Sequence, residues 1–377
     1  MSDKIQMVDL HAQYLKLQDE MDRAIRSVID STAFVKGPKV TEFQTHLEQY
    51  LGVRHVIPVA NGTEAIQIAL MSLGLQPGDE VITPTFTFIA TAEVVALLGL
   101  KPVVVDVDPD TFCMTVEQVA KAITPKTKAI VPVNLFGQNA PLEDLKALAD
   151  EHHLFLVEDA CQSMGAHYIF RDGRRVASGT VGIIGCTSFF PSKNLGCYGD
   201  GGALFTNDDL LAEKARSIAN HGMTIRYHHD RIGVNSRLDA IQAAVLDVKL
   251  PHLDDYIRAR QYAASFYNEA FRSLSWVRIP SVAPYTTHAF HQYTLVLSDD
   301  IDRDALQSYL KEKGIPSMVY YPIPLHLQKA YRDPRYREGD FPVAEHLASH
   351  VISLPMHTEL DDEQLRYITD TFKSFVS

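Results

Sequence analysis

The sequence predicts an α/β protein, with a large domain whose mostly parallel sheet is covered by helices and a smaller α/β domain at the C-terminal end. Three observations carry this. From residue 55 to 205, short apolar β-rich runs alternate with helix-like stretches, the pattern of strands covered on both faces. Beyond Pro251 that alternation stops, and a helical stretch leads into one strand-like run, another helix and a proline-rich loop. The 377 residues, 46% hydrophobic and 22% charged, suffice for one large and one smaller core.

Taken in order, residues 1–35 are expected to form an N-terminal segment packing on the body, 36–250 the large domain and 251–377 the small domain. The strands expected in the large domain are HVIPV (55–59), EVITP (80–84), KPVVVDV (101–107), KAIVPV (128–133), HLFLVED (153–159), GCTSFF (185–190) and GALFT (202–206). Between the first two, GTEAIQIALMSLGL places Ala65, Ile66, Ala69, Leu70 and Leu73 at helical spacing, and APLEDLKALADEHH is the helix leading into HLFLVED. Leu238 to Leu250 reads as a long amphipathic helix, HQYTLVL (291–297) as a strand, and DRDALQSYLKEKG as a helix before the loop around YYPIPLH. No internal repeat or low-complexity tract interrupts this order.

Thirty-five Lys and Arg against 47 Asp and Glu give a net charge of −12, which opposes binding to nucleic acid or anionic membranes. Cys113, Cys161, Cys186 and Cys197 form no CxxC pair and no zinc-like spacing with histidine. They read as buried small apolar residues in a reducing cytoplasmic setting, and no metal ligand set is expected. MSDKIQMVDLHAQYLKLQDE holds acids and no apolar leader core, and no apolar run reaches the length of a membrane span.

In open α/β sheets, ligands bind beyond the carboxyl ends of the strands, so the residues after each apolar run are the candidates. After HVIPV come Asn61, Gly62 and Thr63, a small turn feeding a helix N-terminus that suits a phosphate; Thr63 fits a plain N-cap as well. After HLFLV come Glu158 and Asp159, at the end of a strand where a buried carboxylate needs a partner. Asp159 could cap the next turn, meet a lysine, or hold a proton on a cationic heterocycle, and Gln162 lies one turn further on. After GCTSFF comes SFFPSKNLGCYGDGGA (188–203), in which Ser188 and Lys193 bracket Pro191 and a glycine-rich turn precedes GALFT. An amine, a phosphate site and an acid at one sheet edge are what pyridoxal 5'-phosphate requires, the acid keeping its pyridine nitrogen protonated. Phe86 and Phe88 of TPTFTFIAT offer a ring to stack on it.

The ordered motifs NGTEA, TPTFTFIAT, VEDACQS, SFFPSKNLGCYGDGGA and GVNSRLDAIQAA together resemble the DegT-type (DegT/DnrJ/StrS) nucleotide-sugar aminotransferases, a branch of the fold type I pyridoxal phosphate enzymes, over nearly the whole chain. The resemblance implies Lys193 as the Schiff-base lysine, Asp159 as the partner of the pyridine nitrogen, Gln162 near the ring hydroxyl, and Gly62, Thr63 and Ser188 as phosphate ligands. Phe88 fits the ring-stacking position better than Phe86. Asn235 of GVNSRLD resembles the residue that reaches the neighbouring subunit's phosphate, which implies a homodimer with shared active sites. The implied reaction moves an amino group from L-glutamate through the cofactor to a nucleotide-linked keto-sugar, with Lys193 as leaving group and general base.

Such a substrate is anionic. In NHGMTIRYHHDRIGVNSRLD, Arg226, His228, His229, Arg231 and Arg237 gather in an otherwise acidic chain. A solvated face would look the same, but Arg237, so near Asn235, suits a carboxylate or phosphate. RYHHDRIGVNSRLD and VYYPIPLH most resemble the subgroup that aminates UDP-2-acetamido-2-deoxy-3-oxo-D-glucuronate for surface polysaccharide such as lipopolysaccharide, and a carboxylated sugar would explain an extra arginine. Tyr320, Tyr321 and His326 match the small-domain loop lining the sugar pocket, with Tyr320 standing where a member of that subgroup carries His. That departure leaves another 3-oxo or 4-oxo UDP- or dTDP-sugar open, and His326 fits an ordinary loop histidine equally. Lys193 opposes the family's sugar dehydratases, which carry histidine there. No basic helical domain supports a regulator, ANGTEA is not the GxGxxG of a dinucleotide oxidoreductase, and the pairs His152/His153 and His228/His229 come without HExxH.

Overall fold

The computed structural model describes residues 5–376. In chain order the large body holds β1 (His55–Val59), β2 (Glu80–Pro84), β3 (Lys101–Val105), β4 (Thr127–Ile130), β5 (Phe155–Asp159), a side hairpin of β6 (His167–Ile169) and β7 (Arg175–Ala177), then β8 (Ile184–Ser188) and β9 (Gly202–Thr206). Seven of these form one sheet in the order β1-β9-β8-β5-β4-β2-β3. The pairs from β8 through β3 are parallel; β9 runs antiparallel to both β8 and β1, so the GALFT run is the exception to the parallel pattern.

Each apolar run of the large domain becomes a strand, and the long runs end early for local reasons. β4 stops at Ile130 because Pro132 has no N–H for the ladder; Val131 N–H still reaches the Ile82 carbonyl at 2.8 Å. β3 stops at Val105, where Asp106 turns its carboxylate to the backbone N–H groups of Val343 and Ala344.

The covering helices are α1 (Leu10–Ser31), α2 (Pro38–Leu51), α3 (Gly62–Ser72), α4 (Ala90–Leu97), α5 (Val116–Ala122), α6 (Leu142–Glu151), α7 (Asp209–Ala219) and α8 (Ala240–Lys249). α2 starts on Pro38 and ends on Gly52 in the left-handed conformation, the expected asymmetry of helix ends. α3 buries Ala65, Ile66, Ala69 and Leu70 against β1, β8 and β9, while α1 packs along α8 and places Met21 in the core beneath Lys193's turn. Between α7 and α8 lies an exposed hairpin of β10 (Met223–Ile225) and β11 (His228–His229).

After α8 a short 3-10 turn leads into α9 (Leu253–Phe271), which enters two cores: Leu253 and Ile257 pack with the large body, Ala263, Tyr267 and Phe271 with the small one. The small body adds an antiparallel sheet of β12 (Val277–Arg278), β13 (Tyr293–Leu297) and β14 (Val351–Leu354), with α10 (Arg303–Glu312), α11 (Pro342–His350) and α12 (Asp362–Lys373). α12 carries a full capping box, Asp361 with Gln364. Among the described residues no helix is long and apolar enough to cross a membrane.

Candidate active site

A cavity of about 390 Å³ opens beyond the carboxyl ends of β1, β2, β5 and β8. Gly62, Thr63, Phe88, Asp159, Gln162, Ser188, Lys193, Tyr320 and Tyr321 all line it, so nine residues read from separate motifs meet in one place.

At one end stands the N-terminus of α3. Its cap is Asn61, whose side chain accepts the Glu64 N–H at 2.8 Å; Thr63 is therefore not the cap and lies on the cavity wall. Gly62 is required by proximity: a Cβ there would sit 2.7 Å from Ser188 Cβ and 2.9 Å from Cys161 Sγ. The helix end, with its free N–H groups and dipole, is thus brought against the end of β8 to form a cradle for an anion.

Lys193 enters from a turn fixed on several sides. Its own N–H bonds the Phe190 carbonyl at 2.8 Å, Asn194 Nδ2 donates to the Met164 carbonyl at 3.0 Å, and Gln242 of α8 grips Tyr198 N–H at 2.8 Å. Lys249, also of α8, donates from Nζ to the Gly196 carbonyl at 2.8 Å. Burial pushes the Lys193 ammonium below its usual range, against the opposing pull of Cys161 and Asp159. A nucleophile or base needs the uncharged amine, and the direction of this shift favours it.

The two acids of VEDACQS point to different places, as successive strand residues do. Glu158 is fully buried behind the sheet, where it accepts N–H groups of Gly179, Val181 and Gly182 and the Asn134 amide. Burial pushes its carboxyl up against those four bonds. Asp159 faces the cavity, with one oxygen taking the Thr91 hydroxyl at 2.7 Å and the other the Cys161 N–H at 3.2 Å. Its hydrogen-bond partners are dipoles, with the Lys193 amine acting on it through charge alone, and a buried carboxylate so placed suits a positively charged ligand atom.

Phe88 is 53% exposed at the mouth, while Phe86 is in the core, stacked on Phe112. Gln162 bonds Phe136 N–H through Oε1 at 2.9 Å and the Tyr321 hydroxyl through Nε2 at 3.0 Å, which ties the small-body loop to the sheet. The Phe88 and Tyr321 rings lie 6.1 Å apart.

Three expected residues lie outside this cavity. His326 is buried, its Nδ1 against Thr85 Oγ1 at 2.9 Å and its Nε2 against Glu345 at 3.1 Å, so both nitrogens are taken and the sugar-lining role the resemblance implied does not fit it. Asn235 is exposed and bridges to Asn220; Arg237 is half-buried beside Lys36. Arg226, His228 and His229 sit on the exposed β10–β11 hairpin. Conversely, Thr87, Cys161, Ser192, His291 and Gln292 line the cavity without having been expected to. His291 is the notable one: it is buried, its Nδ1 has no partner, and burial together with Lys193 and Arg260 pushes it well below the ordinary histidine range. Cys161 carries a thiol pushed well up by burial and by Asp159, unlike a reactive thiolate. His291 and Gln292 precede a strand of the second sheet, a place the rule about strand ends does not examine.

Comparison with known proteins places this geometry. The model of the DegT/DnrJ/EryC1/StrS aminotransferase family matches residues 16–373. The chain is 45% identical to a pleiotropic regulatory protein of Geobacillus stearothermophilus, covering 98% of both chains. It is also 45% identical to the UDP-2-acetamido-2-deoxy-3-oxo-D-glucuronate aminotransferase of Pseudomonas aeruginosa, covering 97% of this chain and 98% of that one. Among solved structures, S. venezuelae DesV in complex with a ketimine intermediate superposes with a TM-score of 0.94 at 39% identity, over 100% of this chain and 99% of that chain. With a family match over almost the whole length and the same fold throughout, the chain belongs to the DegT/DnrJ/EryC1/StrS aminotransferase family.

Proposed function

We propose that the protein is a pyridoxal phosphate-dependent sugar aminotransferase that takes an amino group from L-glutamate and delivers it to a nucleotide-linked keto-sugar, with UDP-2-acetamido-2-deoxy-3-oxo-D-glucuronate as the favoured substrate. The observation that carries the proposal is the meeting of the Lys193 amine, the buried Asp159 carboxylate and the open end of α3 in one cavity.

The residues fit the cofactor. Gly62, Thr63 and Ser188 would hold its phosphate in a cradle that any Cβ at position 62 would fill. Asp159, whose two hydrogen-bond partners are dipoles, would pair with a protonated ring nitrogen. Phe88 is open for a ring to stack on, and Gln162 lies beside it with its orientation fixed. When bound, the cofactor supplies an electron-withdrawing ring that stabilises negative charge at the adjacent carbon. Lys193 would carry a proton from the amino-bearing carbon of glutamate to the carbon next to the cofactor ring, and in the second half-reaction from there to the sugar carbon, in keeping with its lowered basicity. Tyr321, held by Gln162, bounds the cavity on the small-body side and limits water.

Arg237 supports an acidic substrate. Burial and then the nearby Arg237 charge depress Lys36, and Lys36 donates to Asn220, the bridge partner of Asn235. Two neighbouring cations beside Asn235 suit a carboxylate or diphosphate. In this reading the exposed Asn235 and the half-buried Arg237 serve the cavity of a second copy, in a cytoplasmic homodimer acting in surface polysaccharide synthesis, and the division near residue 250 separates the cofactor-binding domain from the small one. His326 joins Thr85 to Glu345 and so positions the Tyr320–Tyr321 loop.

The test is an absorbance spectrum with pyridoxal phosphate, before and after glutamate, for the wild type and Lys193→Ala. A visible band that glutamate converts and that Lys193→Ala never forms is expected. The same band in the variant would remove Lys193 from its role. Product masses from 3-oxo and 4-oxo UDP-sugars, with and without a carboxylate, then assign the substrate; Arg237→Ala should weaken only the carboxylated one if Arg237 meets the carboxylate, and all of them if it meets the diphosphate.

A further inference from the structure

We propose that Asp299, His346 and His350 form a binding site for one divalent transition-metal ion of the zinc class, on the small body and outside the cleft. His346 and His350 stand one turn apart on α11, so both imidazoles project from one face of the helix, with ring centroids 4.1 Å apart and planes 19° from parallel. Asp299 follows β13 and brings Oδ1 to 3.3 Å from His350 Nε2 and 3.8 Å from His346 Nδ1. One donor atom from each residue lies within 4.8 Å of the others.

The spacing suits a metal. Bonds of about 2.0–2.2 Å in a tetrahedron set donor atoms about 3.3–3.5 Å apart, which the Asp299–His350 pair already meets; a small rotation of the half-exposed His346 brings in the third. His350 is also oriented from behind. Its Nδ1–H donates to the His346 carbonyl at 2.8 Å, which orients the ring and directs Nε2 at Asp299. Two imidazoles and one carboxylate favour zinc, cobalt or nickel over magnesium or calcium, which prefer oxygen, and three protein ligands leave a position for water.

Arg278 of β12 is engaged by Asp110, and Arg303 of α10 donates to the Ala348 carbonyl and Asp304. A bound ion would tie the end of β13 to the last turn of α11, the helix whose Glu345 holds His326.

The experiment is calorimetric titration of the full, untagged protein with zinc, and visible spectroscopy with cobalt. The wild type is expected to bind one ion with a cobalt spectrum of low coordination number, and to melt at a higher temperature with zinc present. Asp299→Asn, His346→Ala and His350→Ala should each weaken binding at least about tenfold. Asp299 is 85% exposed, so its variant folds even if a helix variant does not. His152→Ala, a surface control, should bind as the wild type does. No binding by the wild type, or binding unchanged in Asp299→Asn and His350→Ala, overturns the proposal.

Discussion

Lys249 makes stability depend on alkaline pH in a way that can be worked out. It is 2% exposed, donates to the Gly196 carbonyl at 2.8 Å and lies over the Tyr198 ring at 4.6 Å. Burial pushes its ammonium down to about 8 from an ordinary 10.5, with Cys197 opposing. That displacement corresponds to about 3 kcal/mol of differential stability. Between about pH 8 and 10.5 the unfolded chain holds the proton while the folded protein has released it, so raising the pH favours the folded state. The contribution is complete above the unfolded value and is lost as pH falls through about 8. Lys249→Met keeps the volume and removes the titration. Denaturant midpoints at pH 7, 8, 9 and 10, without cofactor, should show the wild type gaining about 3 kcal/mol relative to the variant over that interval, with the other titrating groups cancelling in the difference. Parallel profiles, constant to within about 0.5 kcal/mol, would refute the reasoning. Because Lys249 holds the turn that carries Lys193, the variant should also load pyridoxal phosphate more weakly.

Gly62→Ala forces Ser188 and Cys161 aside and should cost about 1–3 kcal/mol, with phosphate-ester affinity falling at least tenfold by fluorescence titration. Thr91→Val strips one donor from Asp159 and should lower kcat roughly tenfold with little change in the KM for glutamate, measured by steady-state kinetics. Glu158→Gln turns an N–H group toward backbone donors and should cost about 2–4 kcal/mol in thermal or denaturant unfolding while the cavity residues stay in place.

The sequence was most legible where burial is extreme. Strands covered on both faces must be apolar throughout, which is why HVIPV, EVITP and GALFT coincide with β1, β2 and β9 residue for residue. Strand direction is not written in composition, and the antiparallel β9 reads like its parallel neighbours. The site was legible as strand-end residues, because parallel sheets gather those at one edge. Thr63 was ambiguous because cap and ligand use the same residue types; only the Asn61 bond decides it. The opposite orientations of Glu158 and Asp159 follow from strand alternation and could have been stated in advance. His326 and His291 could not, since one histidine is occupied and the other free only through Thr85, Glu345 and the packing around them.

The position of β9 also sets a timetable for synthesis. β1 lies at the sheet edge with β9 as its single neighbour, and its partner residues arrive roughly 150 residues later in the chain. At ribosomal speeds of about 5–20 residues per second, that is roughly 8–30 s during which the first strand is an open edge able to pair wrongly. Gly202 then packs its backbone onto Asn61, where a Cβ would come within 2.4 Å of the carbonyl carbon, so the cradle turn is completed by the strand that ends the sheet. A nascent chain released before residue 202 would carry most of the sheet and the cradle residues without the strand that packs on Asn61, and one released before Tyr320 would lack the opposite wall.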